Sequence, residues 1–306
     1  MTILKRLFPS LLALAGCAAT MISGSNANAQ DWAKAQLEKS SRHREYVVVE
    51  QGARKITTYV VYPEIKAKAP VVVLIHEIFG LSDWFKLQAD ELAAQGYIVV
   101  APDLLSGMGP NGGGTDSLGG QDGVTKAVMT LPADQVLADL DAVANYGKKL
   151  PAANGKLAVA GFCWGGGKSF GFATHRTDLS AAFVFYGTPP PAAAMAAIQA
   201  PVYGFYGEND ARVDASIPQA VTDMKAAGKT YDPVTYAGAG HGFMRAGQAP
   251  EATPANKKAY EEGFARMLRE LKANTGTMKK MASAMSSRKQ TLVAKVDAPA
   301  VACHGM

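Results

Sequence analysis

The chain has 306 residues, 48% of them apolar, 8% aromatic and 19% charged, with a formal net charge of +5. So much apolar material supplies the core of one large domain or two, which excludes a disordered or collagen-like chain. The excess charge sits at the ends, where Lys5 and Arg6 stand alone before Gln30 and where Lys279, Lys280, Arg288, Lys289 and Lys295 oppose only Asp297. The middle is nearly neutral and shows no basic stripe, so no nucleic-acid partner is expected.

In chain order, Lys5-Arg6 precede an apolar stretch from Leu7 to Ile22 that is too short and too rich in small residues for a membrane span. Ala27-Asn28-Ala29 before Gln30 fits a small-x-small cleavage site. Residues 1–29 therefore read as a signal peptide, and the mature chain is expected to be periplasmic or secreted from a bacterium, with no transmembrane span. Leu14-Ala15-Gly16-Cys17 resembles a lipoprotein box and offers the rival outcome, a lipid anchor at Cys17.

Tyr46–Val49 and Ile56–Tyr62 are rich in β-branched and aromatic residues, and the turn-like Gln51–Arg54 between them predicts an antiparallel hairpin. Strand and helix patterns then alternate. Val71–Ile75, Tyr97–Ala101, Leu157–Ala160, Ala182–Tyr186, Val202–Tyr206 and Pro233–Tyr236 read as strands. Helical spacing marks Trp84–Gln95, which stops at Gly96, then about Ala133–Lys149, Gly165–Thr174, Ser216–Ala227 and Ala255–Ala273. Repeated β-then-α predicts an α/β domain over 30–275, a mostly parallel sheet with helices on both faces. Functional groups then belong at the carboxyl ends of the strands. Ser106–Gly123, rich in Gly, follows one such end and is too long for a plain connection, so it reads as a lid or rim. Residues 276–306 lose apolar periodicity and read as a flexible basic tail, where Cys303 and His304 carry no assigned role.

Gly161-Phe162-Cys163-Trp164-Gly165 lies directly between a predicted strand and a predicted helix. It matches the nucleophile elbow G-x-S-x-G with Cys in the Ser position. The helix that starts there points its first N–H groups at the sulfur, which suits a negatively charged nucleophile. The bland reading of a lone Cys is a small buried hydrophobe. Two overlapping patterns fail: Gly167-Lys168-Ser169 lacks the earlier Gly of a phosphate loop, and His76-Glu77 lacks the second His of a zinc-protease helix.

A nucleophile in this architecture is followed by an acid and then by a histidine. Asp210 follows the strand Val202–Tyr206, and His241 follows the last strand in Gly240-His241-Gly242-Phe243. His43, His76, His175 and His304 do not fit that order, so a Cys163–His241–Asp210 triad is expected.

At this point the sequence resembles the dienelactone hydrolase family of α/β-hydrolases. The likeness runs from about Tyr46 to Leu271. It is carried by His76-Glu77-Ile78-Phe79-Gly80, Ala101-Pro102-Asp103, Gly161-Phe162-Cys163-Trp164-Gly165-Gly166, Gly207-Glu208-Asn209-Asp210 and His241-Gly242-Phe243. The resemblance implies an α/β-hydrolase fold and the same triad, with Glu77 accepting the thiol's hydrogen bond at rest. It also implies an oxyanion hole from the backbone N–H groups of Trp164 and Ile78. The bland reading of Glu77 is a salt-bridged carboxylate. Of the two arginines that grip a substrate carboxylate in the family, one position is Arg245 here and the other falls at about Gly107. Dienelactone specificity is thereby put in doubt, and Arg245 otherwise reads as a surface charge.

Phe79 and Tyr186 are the chosen pocket residues among Phe79, Trp84, Phe85, Trp164, Tyr186 and Met244. The expectation is a monomeric carboxylic ester or lactone hydrolase acting on a small molecule through a thioester, without metal or cofactor. Two other readings use the same fold: a catalytically silent exported binding protein, and a redox-sensing thiol, which the absence of a nearby resolving Cys disfavours.

Overall fold

Residues 30–276 are described by a computed structural model. The expected signal peptide, Cys17, and the tail past Gly276 with Cys303 and His304 lie outside the described residues. A short helix α1 (Asp31–Leu37) precedes the hairpin of β1 (Arg44–Gln51) and β2 (Arg54–Val61). Then follow β3 (Ala69–Ile75), α2 (Asp83–Ala94), β4 (Ile98–Pro102), α3 (Gln121–Thr130), α4 (Ala133–Lys149), β5 (Ala153–Phe162), α5 (Trp164–His175) and β6 (Ala181–Phe185). The chain ends its described part with α6 (Ala192–Met195), β7 (Val202–Asn209), α7 (Ala211–Asp214), α8 (Ile217–Ala226), β8 (Tyr231–Gly240), α9 (Phe243–Gln248) and α10 (Pro254–Thr275).

The strands form one eight-stranded sheet in the order β1-β2-β4-β3-β5-β6-β7-β8. The β1–β2 and β2–β4 pairs are antiparallel, and the other five pairs are parallel. This is the expected α/β architecture. All seven residues of β3 are buried because helices cover both faces. Alternate side chains divide between those faces: Val71, Val73 and Ile75 pack with Val143, Phe170 and Phe172, while Val72 and Leu74 pack with Trp84, Phe85, Met267 and Leu271.

Five helices escape the sequence reading, the short α6, α7 and α9 together with α1 and α3. In α1 the apolar pattern is only Ala33 and Leu37, an i, i+4 pair on a seven-residue segment, and the helix owes its place to docking on α2. Gln30 just before it accepts a bond from the Trp84 amide at 3.1 Å. In α3 the pair Val124 and Val128 is buried, but Gly120 and Gly123 around its start read as loop.

The Gly-rich segment is tied down rather than free-standing. Asp103, buried at the end of β4, accepts from the Thr115 amide at 2.7 Å, from the Thr115 hydroxyl at 2.8 Å and from the Leu105 amide at 3.1 Å. The same Thr115 oxygen accepts from the Leu81 amide at 3.0 Å, so one hydroxyl joins the loop after β4 to the loop after β3. Arg54 reinforces the base, donating to Asp139 at 2.7 Å, to the Ser106 carbonyl at 2.8 Å and to the Leu104 carbonyl at 2.7 Å.

Candidate active site

Five strand ends, those of β3, β5, β6, β7 and β8, bring the candidate residues together. The sharpest turn is at Cys163, whose φ of 55° places a non-Gly residue in left-handed space between β5 and α5. A Cβ on Gly161 would stand 2.0 Å from the Gly165 carbonyl oxygen, and one on Gly165 would stand 2.4 Å from both the Ile75 and His76 carbonyl oxygens. The two glycines of the elbow are therefore required by the close passage of α5 over β3 and β5. Tyr186, just past β6, is a second strained residue with φ of 39°.

His241 enters from the turn between β8 and α9, where Gly242 at φ of 74° starts the helix. Its Nε2 lies 3.1 Å from the Cys163 Sγ. Its Nδ1 bonds the buried carboxylate of Asp210, at the end of β7. The hydrogen bond to Cys163 raises the His241 imidazole from its ordinary value to about 9, helped by the bond to Asp210 and opposed by burial. The Tyr186 ring meets the imidazole edge-on at 5.0 Å between centroids and limits its swing.

Glu77 has other partners than the thiol. Arg245 Nε donates to its Oε2 at 3.1 Å, and the Tyr186 hydroxyl donates to its Oε1 at 3.4 Å. Burial pushes the Glu77 carboxyl up, and Arg245 pulls it back down. The sulfur and Glu77 thus sit on separate hydrogen-bond chains, joined through Tyr186, and the salt-bridged reading of Glu77 describes this arrangement.

A cleft of about 470 Å³ opens over Cys163 and is lined by Tyr186, Ile78 and Trp164, and also by Met129, Lys168 and Arg212. Trp164 opens α5, so its amide has no acceptor within its own helix. Arg245 and Phe79 are displaced from this cleft. They line a neighbouring hollow of about 530 Å³ together with Ser82, Lys86 and Thr115. Trp84, Phe85 and Met244 line neither and are fully buried core residues. A Cβ on Gly107 would lie 3.8 Å from Arg54, but that guanidinium is spent on Asp139 and two carbonyls and offers no replacement for a second substrate arginine.

The sequence does not single out Met129, Lys168 or Arg212. Lys168 has a signal, since it follows Cys163 by five residues on a predicted helix, but it falls within the phosphate-loop-like Gly167-Lys168-Ser169. Among the described residues, no three His, Cys, Asp or Glu side chains converge as a metal site needs, and no helix is long and apolar enough to cross a membrane.

The model of the Dienelactone hydrolase family matches residues 56–275. The chain belongs to this family. A carboxymethylenebutenolidase of Pseudomonas putida is 30% identical over 186 residues, which cover 59% of this chain and 77% of that protein. The crystal structure of a dienelactone hydrolase-like promiscuous phosphotriesterase from metagenomic libraries superposes with a TM-score of 0.65 at 20% identity, covering 77% of this chain and 99% of that one. An acylaminoacyl peptidase of Pyrococcus horikoshii shares the fold at 18% identity and a TM-score of 0.60, with 79% of this chain and 44% of that one covered. The chain is a hydrolase of dienelactone hydrolase type on the α/β-hydrolase fold.

Proposed function

We propose that this family member is an exported ester or lactone hydrolase that works through Cys163, His241 and Asp210. The observation that carries the reading is the single imidazole of His241, bound through Nδ1 to Asp210 and 3.1 Å through Nε2 from the Cys163 sulfur. A histidine raised to about 9 is well placed to hold the proton that Cys163 gives up, so that the sulfur attacks as thiolate. The thiolate attacks the substrate carbonyl, and the oxyanion that forms is held by the amides of Trp164 and Ile78, each such donor contributing on the order of 3 kcal/mol. His241 gives its proton to the leaving alkoxide as the C–O bond breaks and the thioester forms. The neutral imidazole then takes a proton from water, hydroxide attacks the thioester, and the thiolate leaves as the product acid is released. Asp210 fixes the tautomer and stabilises the imidazolium.

Because a thiolate leaves more readily than an ordinary alkoxide, esters with enol-like or otherwise activated leaving groups are the substrates that commit to the thioester. Glu77, paired with Arg245, orients the floor of the site through Tyr186. The protein works as a monomer and needs no metal or cofactor. Residues 1–29 direct it across the inner membrane, with cleavage before Gln30 in preference to lipidation at Cys17.

The test is a panel of p-nitrophenyl esters against wild type and Cys163→Ala. The expected result is a folded variant without turnover, and stoichiometric loss of wild-type activity on alkylation of Cys163. Hydrolysis by the variant at the wild-type rate would remove the nucleophile from the mechanism. An intact mass starting at Gln30 supports export by signal cleavage, and a diacylglycerol adduct at Cys17 replaces that outcome with anchoring.

A further inference from the structure

The cleft over Cys163 has two cations in its wall that the triad does not use. Lys168 lies on α5 one turn beyond Trp164, with its ammonium 5.1 Å over the Trp164 ring. Arg212 lies on α7, two residues after Asp210, and is exposed. Neither makes an ion pair, and the Arg212 guanidinium makes no hydrogen bond, among the described residues.

Lys168 is badly placed for stability. It occupies the amino-terminal half of α5, where the helix dipole disfavours a cation, and the first turn of α5 holds no acid to offset it. Burial alone lowers its ammonium from the usual range, with no carboxylate pulling the other way. An apolar residue would fit the Trp164 face at less cost. A cation kept there, half-buried and aimed with Arg212 into the same hollow as the nucleophile, has a use if something negative enters that hollow.

We propose that Lys168 and Arg212 form an anion subsite in the Cys163 cleft, which selects esters bearing a carboxylate or another oxyacid group on the α5–α7 side. The assignment deepens the hydrolase reading above and rests on it for the word substrate, but the subsite itself is defined by the cleft. It separates the charge reader from Arg245, whose Nε is committed to Glu77 and whose hollow does not include Cys163. Met129, Ile78 and Pro189 give the wall an apolar part that takes the hydrocarbon portion of the same molecule. Met129, 69% exposed, is open to contact with such a molecule.

The test compares two alkylating agents of similar size that differ in charge, iodoacetate and iodoacetamide, on the full processed chain. Modification of the peptide that contains Cys163 is followed by mass. In wild type the iodoacetate-to-iodoacetamide rate ratio is expected to be about fivefold above that of the K168M/R212Q double variant, the size of a half-exposed pair of charge contacts. Lys168→Arg is expected to keep the ratio high, and 1 M salt to lower it in wild type toward that of the double variant. An equal ratio in wild type and double variant, with both folded by circular dichroism, overturns the subsite.

A second arm compares p-nitrophenyl acetate with the mono-p-nitrophenyl ester of glutarate. The ratio of their kcat/KM values is expected to shift toward acetate by a similar factor in the double variant, and an unchanged ratio counts against the subsite. Protection of Cys163 from iodoacetamide by glutarate but not by inorganic phosphate identifies a carboxylate reader, the reverse identifies a phosphate reader, and protection by neither overturns the subsite. Hydrolysis that survives Cys163→Ala removes Cys163 as the nucleophile, while the alkylation ratio still decides the subsite.

Discussion

Arg245 and Glu77 form one unit, with Nε donating to Oε2 at 3.1 Å and the guanidinium carbon 4.9 Å above the Phe79 ring. Two residues that stand 168 positions apart, and that the sequence offers for separate tasks, are paired with one another. Glu77 is 4% exposed and Arg245 33%, so the carboxylate depends on the arginine more than the reverse. Arg245→Gln strands a buried carboxylate and is expected to cost about 2 kcal/mol in urea unfolding. In the double variant E77Q/R245Q the two amides can bond each other, and the loss is expected to be smaller than the sum of the singles. Strict additivity in that cycle would show that the contact contributes nothing.

The imidazole of His241 gives a signed pH prediction. Its value in the folded protein, about 9, lies above its ordinary 6.5, chiefly through the Cys163 bond. The stabilisation it provides is therefore complete below about pH 6.5 and is lost as pH rises through about 9. The His241 ring signals in NMR are expected to titrate near the upper figure in wild type. In Cys163→Ala, which deletes the largest cause, the midpoint falls toward the ordinary value. Asp210→Asn moves it down as well. A midpoint unmoved by Cys163→Ala would mean that the 3.1 Å contact does not hold the proton in solution.

The fold and the meeting of Cys163, His241 and Asp210 were legible because each rests on a local pattern that tertiary packing has no reason to override. The unbroken apolar run Val71–Ile75 states a strand buried on both faces, and the elbow states its own turn through Gly161 and Gly165. The order of Asp210 and His241 along the chain follows from the order of strand ends. What stayed hidden is set by partners distant in sequence. Nothing near Arg245 says that its guanidinium points to Glu77 and away from the cleft. The cleft's Met129 belongs to α3, a helix whose glycines read as loop and whose burial is decided by Val124 and Val128 reaching the sheet. Lys168 and Arg212 are 44 residues apart by their numbers and meet only because β5 and β7 end on the same side of one sheet.

Thr115 is the tether of the Gly-rich segment, and its hydroxyl is both donor to Asp103 and acceptor from Leu81. Thr115→Val keeps the shape and removes both bonds, leaving the buried Leu81 amide without its acceptor and Asp103 Oδ1 with the Leu105 amide alone. The expected loss is about 1–3 kcal/mol by chemical denaturation. Because Leu81 closes the loop that carries Ile78, KM for ester substrates should rise in step, while Thr115→Ser should recover most of both. A Val variant as stable as wild type would show that the segment is held by its backbone alone.

Two glycines of one helix give opposite predictions. On α5, a Cβ at Gly165 would stand 2.4 Å from the carbonyl oxygens of Ile75 and His76, which are backbone atoms and cannot rotate away. Gly165→Ala must therefore lift the start of α5 off β3, and Cys163 moves with it. The expected cost is about 1–3 kcal/mol of stability. Displacing the sulfur by about 1 Å from His241 should lower kcat/KM about a hundredfold. At Gly171, two turns further along, no atom lies within 4 Å of an added Cβ and the backbone is helical. Gly171→Ala is expected to raise stability by about 0.5–1 kcal/mol, since it only restricts the unfolded chain. Thermal melts and ester kinetics on the two variants measure whether the elbow's shape or merely the helix's propensity keeps the sulfur in place. If Gly165→Ala behaves like Gly171→Ala, the close passage of α5 over β3 is not what positions Cys163.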